Sequence, residues 1–112
     1  MTALHDSEAR SVMLRIGNAY IELFEYTNPE PVPGDPDRRP CAAGSTHLCL
    51  DVVGLDAEYQ RLLARGMRFH SEPQDVAPGV RTTYGRDPDG NIVELQEVTE
   101  PTARIALRPL ES

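Results

Sequence analysis

The 112-residue sequence has no apolar run near the roughly 20 residues needed to span a bilayer. Its first residues, 1–6, contain neither the basic nor the apolar region of a secretory signal, so we expect a cytoplasmic protein. Basic residues are few: 11 Lys and Arg stand against 18 Asp and Glu, which gives a formal charge of −7. This acidic balance argues against nucleic acid or an anionic membrane surface as the main partner.

Cysteine is also scarce, since Cys41 and Cys49 are the two in the chain and do not form a CxxC motif. Two thiols in an intracellular protein are usually reduced, and Cys49 lies in an apolar run typical of a strand. Neither thiol has the basic or helix-N-terminal setting that activates a catalytic cysteine. A disulfide scaffold and thiol catalysis are therefore not expected. Hydrophobic residues make up 39% of the chain, enough for one folded domain.

The first section of the chain reads as a β-hairpin. Residues 11–16 alternate, with Val12 and Leu14 on one face, and Gly17-Asn18 is a favoured two-residue turn. Residues 20–26 form the second predicted strand, on which four side chains share one face: Tyr20, Glu22, Phe24 and Tyr26. This pattern places one carboxylate among aromatic rings.

Residues 28–44 contain five prolines, which exclude a helix or a central strand and predict an irregular linker. The section after this linker has the order β-α-β-β-β. Strands are predicted at 46–53, 67–71, 80–86 and 92–98, with a helix at 57–65 capped by Asp56 and ended by Gly66. Residues 73–79 are predicted to be a loop, and Asp87-Pro88-Asp89-Gly90-Asn91 a tight turn.

Two candidate ligands fall on one face of this second section. If Val93 and Leu95 pack beneath the helix, the period-2 alternation leaves His47 and Glu94 together on the opposite face. Glu22 of the first section offers a second carboxylate. Imidazole and carboxylate donors suit Mn, Fe, Ni, Co or Zn. A hydrogen-bonded structural histidine and a solvent-facing glutamate are the alternative interpretation.

Residues 44–52 (GSTHLCLDV) and 86–97 (RDPDGNIVELQE) resemble the vicinal oxygen chelate superfamily. This group includes glyoxalase, methylmalonyl-CoA epimerase, extradiol dioxygenases and bleomycin or fosfomycin resistance proteins. The DPDGN turn followed by a Glu-Leu strand is its most recognisable signature. Residues 20–23 (YIEL) look like the strand that ends the first module of the family fold. The resemblance covers about residues 11–99.

The resemblance implies an α+β fold of paired βαβββ modules around a metal-containing cavity. Residues 1–27 would then be a remnant of the first module, 28–44 the Pro-rich linker, 45–99 a complete second module and 100–112 a C-terminal tail. Only 21 residues precede Glu22, so the first module is expected to be reduced to its last strands. The implied metal ligands are Glu22, His47 and Glu94, and the family's fourth ligand has no counterpart here. His5 lies in a polar stretch and is a poor substitute.

The resemblance also implies a function. A lyase, isomerase or epimerase would use Glu94 or Glu22 to remove a proton next to a carbonyl, and a divalent metal would stabilise the resulting enediolate or enolate. Tyr20, Phe24, Tyr84 and Arg86 are the candidate substrate contacts, and a homodimer is the expected assembly. The alternatives are an extradiol-type dioxygenase and a metal-free protein that binds an antibiotic or a small metabolite.

Overall fold

The computed structural model describes residues 8–107. The chain divides into two compact units, with the boundary between Pro33 and Gly34, inside the predicted linker. No helix among the described residues has the length and hydrophobicity needed to cross a membrane. His5, considered above as a ligand, lies outside the described residues.

The first unit contains an antiparallel hairpin of β1 (Glu8–Ile16) and β2 (Ala19–Asn28). Gly17 adopts a φ of 56° in the two-residue turn, as its position in the predicted turn requires. The structure extends β1 by three residues beyond the predicted start at residue 11. Apolar side chains on both faces are about half exposed, among them Val12, Met13 and Leu23. Two strands alone do not build a core.

The second unit contains one sheet and one helix. Its elements are β3 (His47–Asp51), α1 (Leu55–Ala64), β4 (Arg68–Phe69), β5 (Gln74–Ala77), β6 (Val80–Arg86) and β7 (Ile92–Val98). The strand order is β3-β7-β6-β4, with β5 also paired to β6. β3 runs parallel to β7, and the other pairs are antiparallel. The predicted bounds of β6 and β7 are confirmed.

The segment predicted as the loop 73–79 instead contains β5, so that prediction was wrong. β4 is two residues long and pairs with the Gly85–Arg86 end of β6. The other half of this β6 edge would be left without partners, and β5 pairs with it from residue 80 to residue 82. Backbone groups in a sheet need such partners, which is why Gln74–Ala77 is extended between two prolines.

The start of α1 also differs from the prediction, because Asp56 is not its cap. The N-cap is Gly54, which has no side chain, and the carboxylate of Glu97 on β7 caps the helix instead. Glu97 accepts hydrogen bonds from the N–H groups of Gly54 (2.8 Å) and Leu55 (3.1 Å). Asp56 forms an ion pair with Arg81 at 2.7 Å.

The predicted role of Gly66 at the end of α1 is confirmed, since it adopts a φ of 94°. Fully buried Leu55 belongs to the core, and Leu95 is buried on the helix-facing side of the sheet. Leu50 and Val93 line the space between helix and sheet with it, as the alternation predicts. The opposite face of the sheet is therefore left for polar side chains.

Replacing Glu97 by glutamine is expected to destabilise the protein by about 1 kcal/mol at pH 7, as the loss of a helix cap does. The two backbone N–H donors lower the pKa of Glu97. The contribution of Glu97 to the free energy of unfolding is therefore fully present above the ordinary glutamate pKa. It is lost as the pH falls through the lowered pKa. Urea unfolding at pH 7 and at pH 3 measures this contribution. The difference in free energy of unfolding between wild type and Glu97→Gln should be smaller at pH 3 than at pH 7. Glu72→Gln, an exposed carboxylate in the same unit, is the control.

Candidate metal centre

His47 and Glu94 lie side by side on the sheet face opposite α1. β3 and β7 are neighbouring parallel strands in which Cys49 is paired with Glu94, and His47 precedes Cys49 by two residues on the same face. The His47 Nε2 atom is 3.2 Å from the Glu94 Oε1 atom. The shared face expected from the alternation is thus present in the structure.

A hydroxyl group orients each of these two side chains. The Thr82 hydroxyl donates to Glu94 Oε2 at 2.6 Å, and the Thr46 Oγ1 atom is 2.9 Å from His47 Nδ1. The Glu94 side chain is 12% exposed and that of His47 is 32% exposed. When His47 Nδ1 donates to Thr46, the lone pair of Nε2 is directed toward Glu94. Each group is thus held by one threonine hydroxyl, and the remaining atoms, His47 Nε2 and Glu94 Oε1, face each other.

The chemistry of this donor pair fits a divalent metal ion. One imidazole nitrogen and one carboxylate oxygen suit Mn, Fe, Ni, Co or Zn. Two ligands bound to one ion at about 2.1 Å lie about 3 Å apart, close to the observed Nε2–Oε1 distance. Within residues 8–107, no group of three or more His, Cys, Asp or Glu side chains is placed to hold a metal ion. His47 and Glu94 therefore provide two ligands of a site that needs more.

Two other side chains lie beside this pair, Tyr84 on β6 and Cys49 on β3. Tyr84 is paired with Glu94 across β6 and β7, and its ring meets the His47 ring edge-on at 5.4 Å. Burial raises the pKa of Tyr84, and the negative charge of Glu94 raises it further. For Cys49, which solvent still reaches, partial burial and then the Glu94 charge raise the pKa to about 11. The Cys49 thiol is thus protonated at neutral pH, as expected for a cysteine without a catalytic role.

The remaining residues of the predicted site are divided between the two units. Glu22 is on β2 of the first unit, opposite Met13. Tyr20 on the same strand is 66% exposed, and the rings of Phe24 and Tyr26 stack at 6.0 Å. In the second unit, Arg86 donates to backbone carbonyls. The structure thus groups His47, Glu94 and Tyr84 in one unit and Tyr20, Glu22 and Phe24 in the other.

The sequence analysis assigned no role to Thr82 or Thr46, the two hydroxyls that orient the pair. Threonine is common in strands, so its presence at these positions carries no signal by itself. The strand register indicates the role of Thr82, because Thr82 is paired with Gln96, two residues beyond Glu94 on β7. Neighbouring strand positions of this kind lie within reach of a side chain.

Comparisons with known proteins agree with this architecture. Residues 2–95 match the family described as the Glyoxalase/Bleomycin resistance protein/Dioxygenase superfamily. A glyoxalase family protein from Bacillus cereus has a similar structure, with a TM-score of 0.72 at 21% identity over 84% of this chain and 63% of that one. At this identity the likeness shows the fold alone, and it confirms the predicted glyoxalase-like α+β architecture with one complete βαβββ module.

Two curated relatives are similar in sequence. The uncharacterized protein YwkD of Bacillus subtilis is 37% identical over 81 residues, and the uncharacterized protein YaeR of Escherichia coli is 33% identical over the same length. Each match covers 72% of this chain and 60% of the relative. The chain therefore spans about 60% of the length of these two proteins.

Proposed function

Since the chain belongs to the Glyoxalase/Bleomycin resistance protein/Dioxygenase superfamily, we propose that it acts as a metal-dependent lyase, isomerase or epimerase. Its substrate would be a small carbonyl compound from which a proton next to the carbonyl is removed. The observation that carries this proposal is the His47–Glu94 pair, 3.2 Å apart and oriented by two threonine hydroxyls. A pair held in this way is pre-arranged for a ligand that binds both groups.

His47 and Glu94 would hold the divalent cation, of which Zn, Ni, Co, Mn and Fe are the candidates. When bound, such a cation supplies Lewis-acid polarisation of a carbonyl oxygen. Glu94 is the less suitable base, because both of its oxygens already have partners, His47 at 3.2 Å and Thr82 at 2.6 Å. We therefore assign proton removal to Glu22 and orientation of the substrate to Tyr84, whose hydroxyl can donate to a substrate oxygen.

Proton exchange tests this function directly. The protein is loaded with Zn, Ni, Co, Mn or Fe(II) and incubated in D₂O with pyruvate and dihydroxyacetone, which represent 2-oxo acids and hydroxyketones. We expect NMR to show metal-dependent loss of the proton signal next to the carbonyl. If the metal binds and no probe exchanges faster than with free metal, the lyase, isomerase or epimerase assignment is wrong.

The stacked rings of Phe24 and Tyr26 favour one alternative, a metal-free protein that binds a planar or cationic small molecule. Metal analysis separates the two functions, because tight ligand binding by metal-free protein would support the alternative. An extradiol-type dioxygenase is the other alternative, and oxygen consumption with a catechol in the presence of Fe(II) would identify it. All three functions act on small molecules, and the two free thiols suit the reducing cytoplasm.

We infer that the active form is a homodimer in which a second copy covers the hairpin of the first unit. The support is the exposed apolar surface on both hairpin faces, which includes the cross-strand partners Val12 and Leu23. Light scattering should give a dimer for the wild type and a monomer for Leu23→Lys. Val32→Lys, at an isolated residue that is 91% exposed, should leave the dimer intact. A monomeric wild type at tens of micromolar would contradict this inference.

A further inference from the structure

A cavity lies in the unit that contains the candidate metal centre, between residues 34–46 and the turn that joins β6 to β7. Its volume is about 190 Å³. Three arginines line it, together with two aspartates and several small or polar residues. The charged lining residues are Arg38, Arg39, Arg86, Asp35 and Asp89. Three arginines against two aspartates leave the lining with one excess positive charge, in a chain whose formal charge is −7.

The arginines of this cavity have no carboxylate partner in the described part of the chain. Arg38 donates to the carbonyls of Ala43 (2.6 Å) and Ser45 (3.0 Å). Arg86 donates to the carbonyls of Pro36, Gly90 and Arg38 at 2.9–3.3 Å. Carbonyl oxygens satisfy N–H donors without neutralising the guanidinium charge, so both cations remain available to attract an anion.

Arg39 differs from the other two arginines. Among residues 8–107, its guanidinium has neither a hydrogen bond nor an ion pair, and the residue is exposed at the cavity. Its planar group keeps all of its N–H donors free for a ligand, and this geometry matches a carboxylate or a phosphate. Arg39 is therefore the group that can contact an anion directly, whereas Arg38 and Arg86 supply charge and hold the walls.

The backbone of this cavity is closely packed. Gly90 adopts a φ of 90°, and a Cβ atom at this position would lie 2.4 Å from the Cα of Pro36. The two chain segments approach this closely because Gly90 has no side chain. Arg86 connects the same two segments through its bonds to Pro36 and Gly90. The cavity is thus preformed by the fold of residues 34–46 against the turn.

The cavity also adjoins the metal centre. Thr46 lines it, and the hydroxyl of the same residue contacts His47 Nδ1. Ile92 lines it as well, and it precedes Glu94 by two residues on the same face of β7. A small molecule bound at His47 and Glu94 would therefore have this cationic cavity beside it.

We propose that this cavity is an anion subsite that takes the carboxylate or phosphate group of the substrate, with Arg39 as its direct contact. That the anion belongs to the substrate rests on the proposed function; anion binding itself does not. The substrate class narrows to small carbonyl compounds that carry a negative group. Carboxylate and phosphate share the same oxygen chemistry, so the experiment has to distinguish them.

Calorimetric titration of metal-free protein at low ionic strength, with inorganic phosphate in one arm and acetate in the other, tests the subsite. We expect saturable binding of at least one probe, and a loss of about tenfold or more in affinity for Arg39→Gln, because a charged hydrogen-bond donor is removed. Arg104→Gln, another exposed arginine without a partner among the described residues, is the matched control and should change the affinity by less than about twofold.

The two arms identify the class of anion. Tighter binding of phosphate would indicate a phosphate group on the substrate, and tighter binding of acetate a carboxylate. Absence of saturable binding in both arms would overturn the proposal. Equal losses in Arg39→Gln and Arg104→Gln would also overturn it, because they would indicate a general charge effect. Since no metal is present, failure of the metal centre cannot produce either result. The proposed function can likewise fail while the subsite binds its anion.

Discussion

Replacing His47 by alanine is expected to weaken the binding of a divalent metal by more than about 100-fold. The reason is that His47 supplies the one imidazole nitrogen of the candidate centre, and its loss leaves Glu94 with a hydroxyl partner alone. Loss of a group that only orients a ligand typically costs 10–100-fold, and loss of a ligand should cost more. Titration of metal-free protein with Zn²⁺ against a chromophoric chelator measures this affinity.

Two further variants make the measurement specific. Thr46→Val removes the hydroxyl that contacts His47 Nδ1, and we expect an intermediate loss of about tenfold. His70→Ala removes an exposed histidine whose side chain has no partner among residues 8–107, and the affinity should not change. If His70→Ala reduced the affinity as much as His47→Ala does, the metal would be bound by surface histidines, and the candidate centre would be wrong.

The pairing of His47 with Glu94 could be predicted because a strand has a period of two. The apolar positions of β3 and β7 identify the face that packs against α1, and this determines the opposite face. The DPDGN turn determines where β7 begins, so the start of β7 could also be predicted. The alternation assigns side chains to faces but gives no distance between atoms. The 3.2 Å separation of His47 Nε2 and Glu94 Oε1 depends on the parallel register of β3 and β7.

Features that depend on partners distant in the sequence could not be predicted. Glu97 caps a helix that begins 42 residues earlier, while Asp56, the local candidate for that role, pairs with Arg81. β5 forms because the backbone groups at the edge of β6 need hydrogen-bond partners. The local sequence of Gln74–Ala77 does not predict this pairing. Local propensity therefore described the elements well, and tertiary contacts decided their ends.

The Pro-rich segment shows the same limit. Its five prolines correctly predicted an irregular conformation, but an irregular segment need not be a free linker. Arg86, predicted as a substrate contact, donates to carbonyls of this segment 48 and 50 residues away. Residues 34–46 thereby become a wall of the second unit, and the anion subsite arises from this packing.

The hydrogen bonds of Glu94 separate the two carboxylates that the sequence left equivalent. Both of its oxygens have partners, His47 at 3.2 Å and Thr82 at 2.6 Å. A carboxylate held in this way keeps its position when a ligand binds, and neither of its oxygens is free to take a proton from a substrate. Glu22 lies on the exposed hairpin, where no side-chain hydrogen bond holds it among the described residues. The structure therefore favours different roles for the two groups.

Glu94→Gln is accordingly expected to impair metal binding, whereas Glu22→Gln is expected to impair proton exchange. Glu94→Gln should weaken metal affinity about 100-fold and abolish proton exchange with it, because a neutral amide replaces a charged ligand. Glu22→Gln should keep metal affinity within about tenfold while exchange in D₂O falls by about 10²–10⁴-fold, the usual contribution of a general base. Glu25→Gln, another exposed carboxylate on β2, controls for charge on the hairpin. The reverse pattern, with exchange surviving in Glu22→Gln at saturating metal, would assign the base to Glu94 and leave Glu22 without a catalytic role.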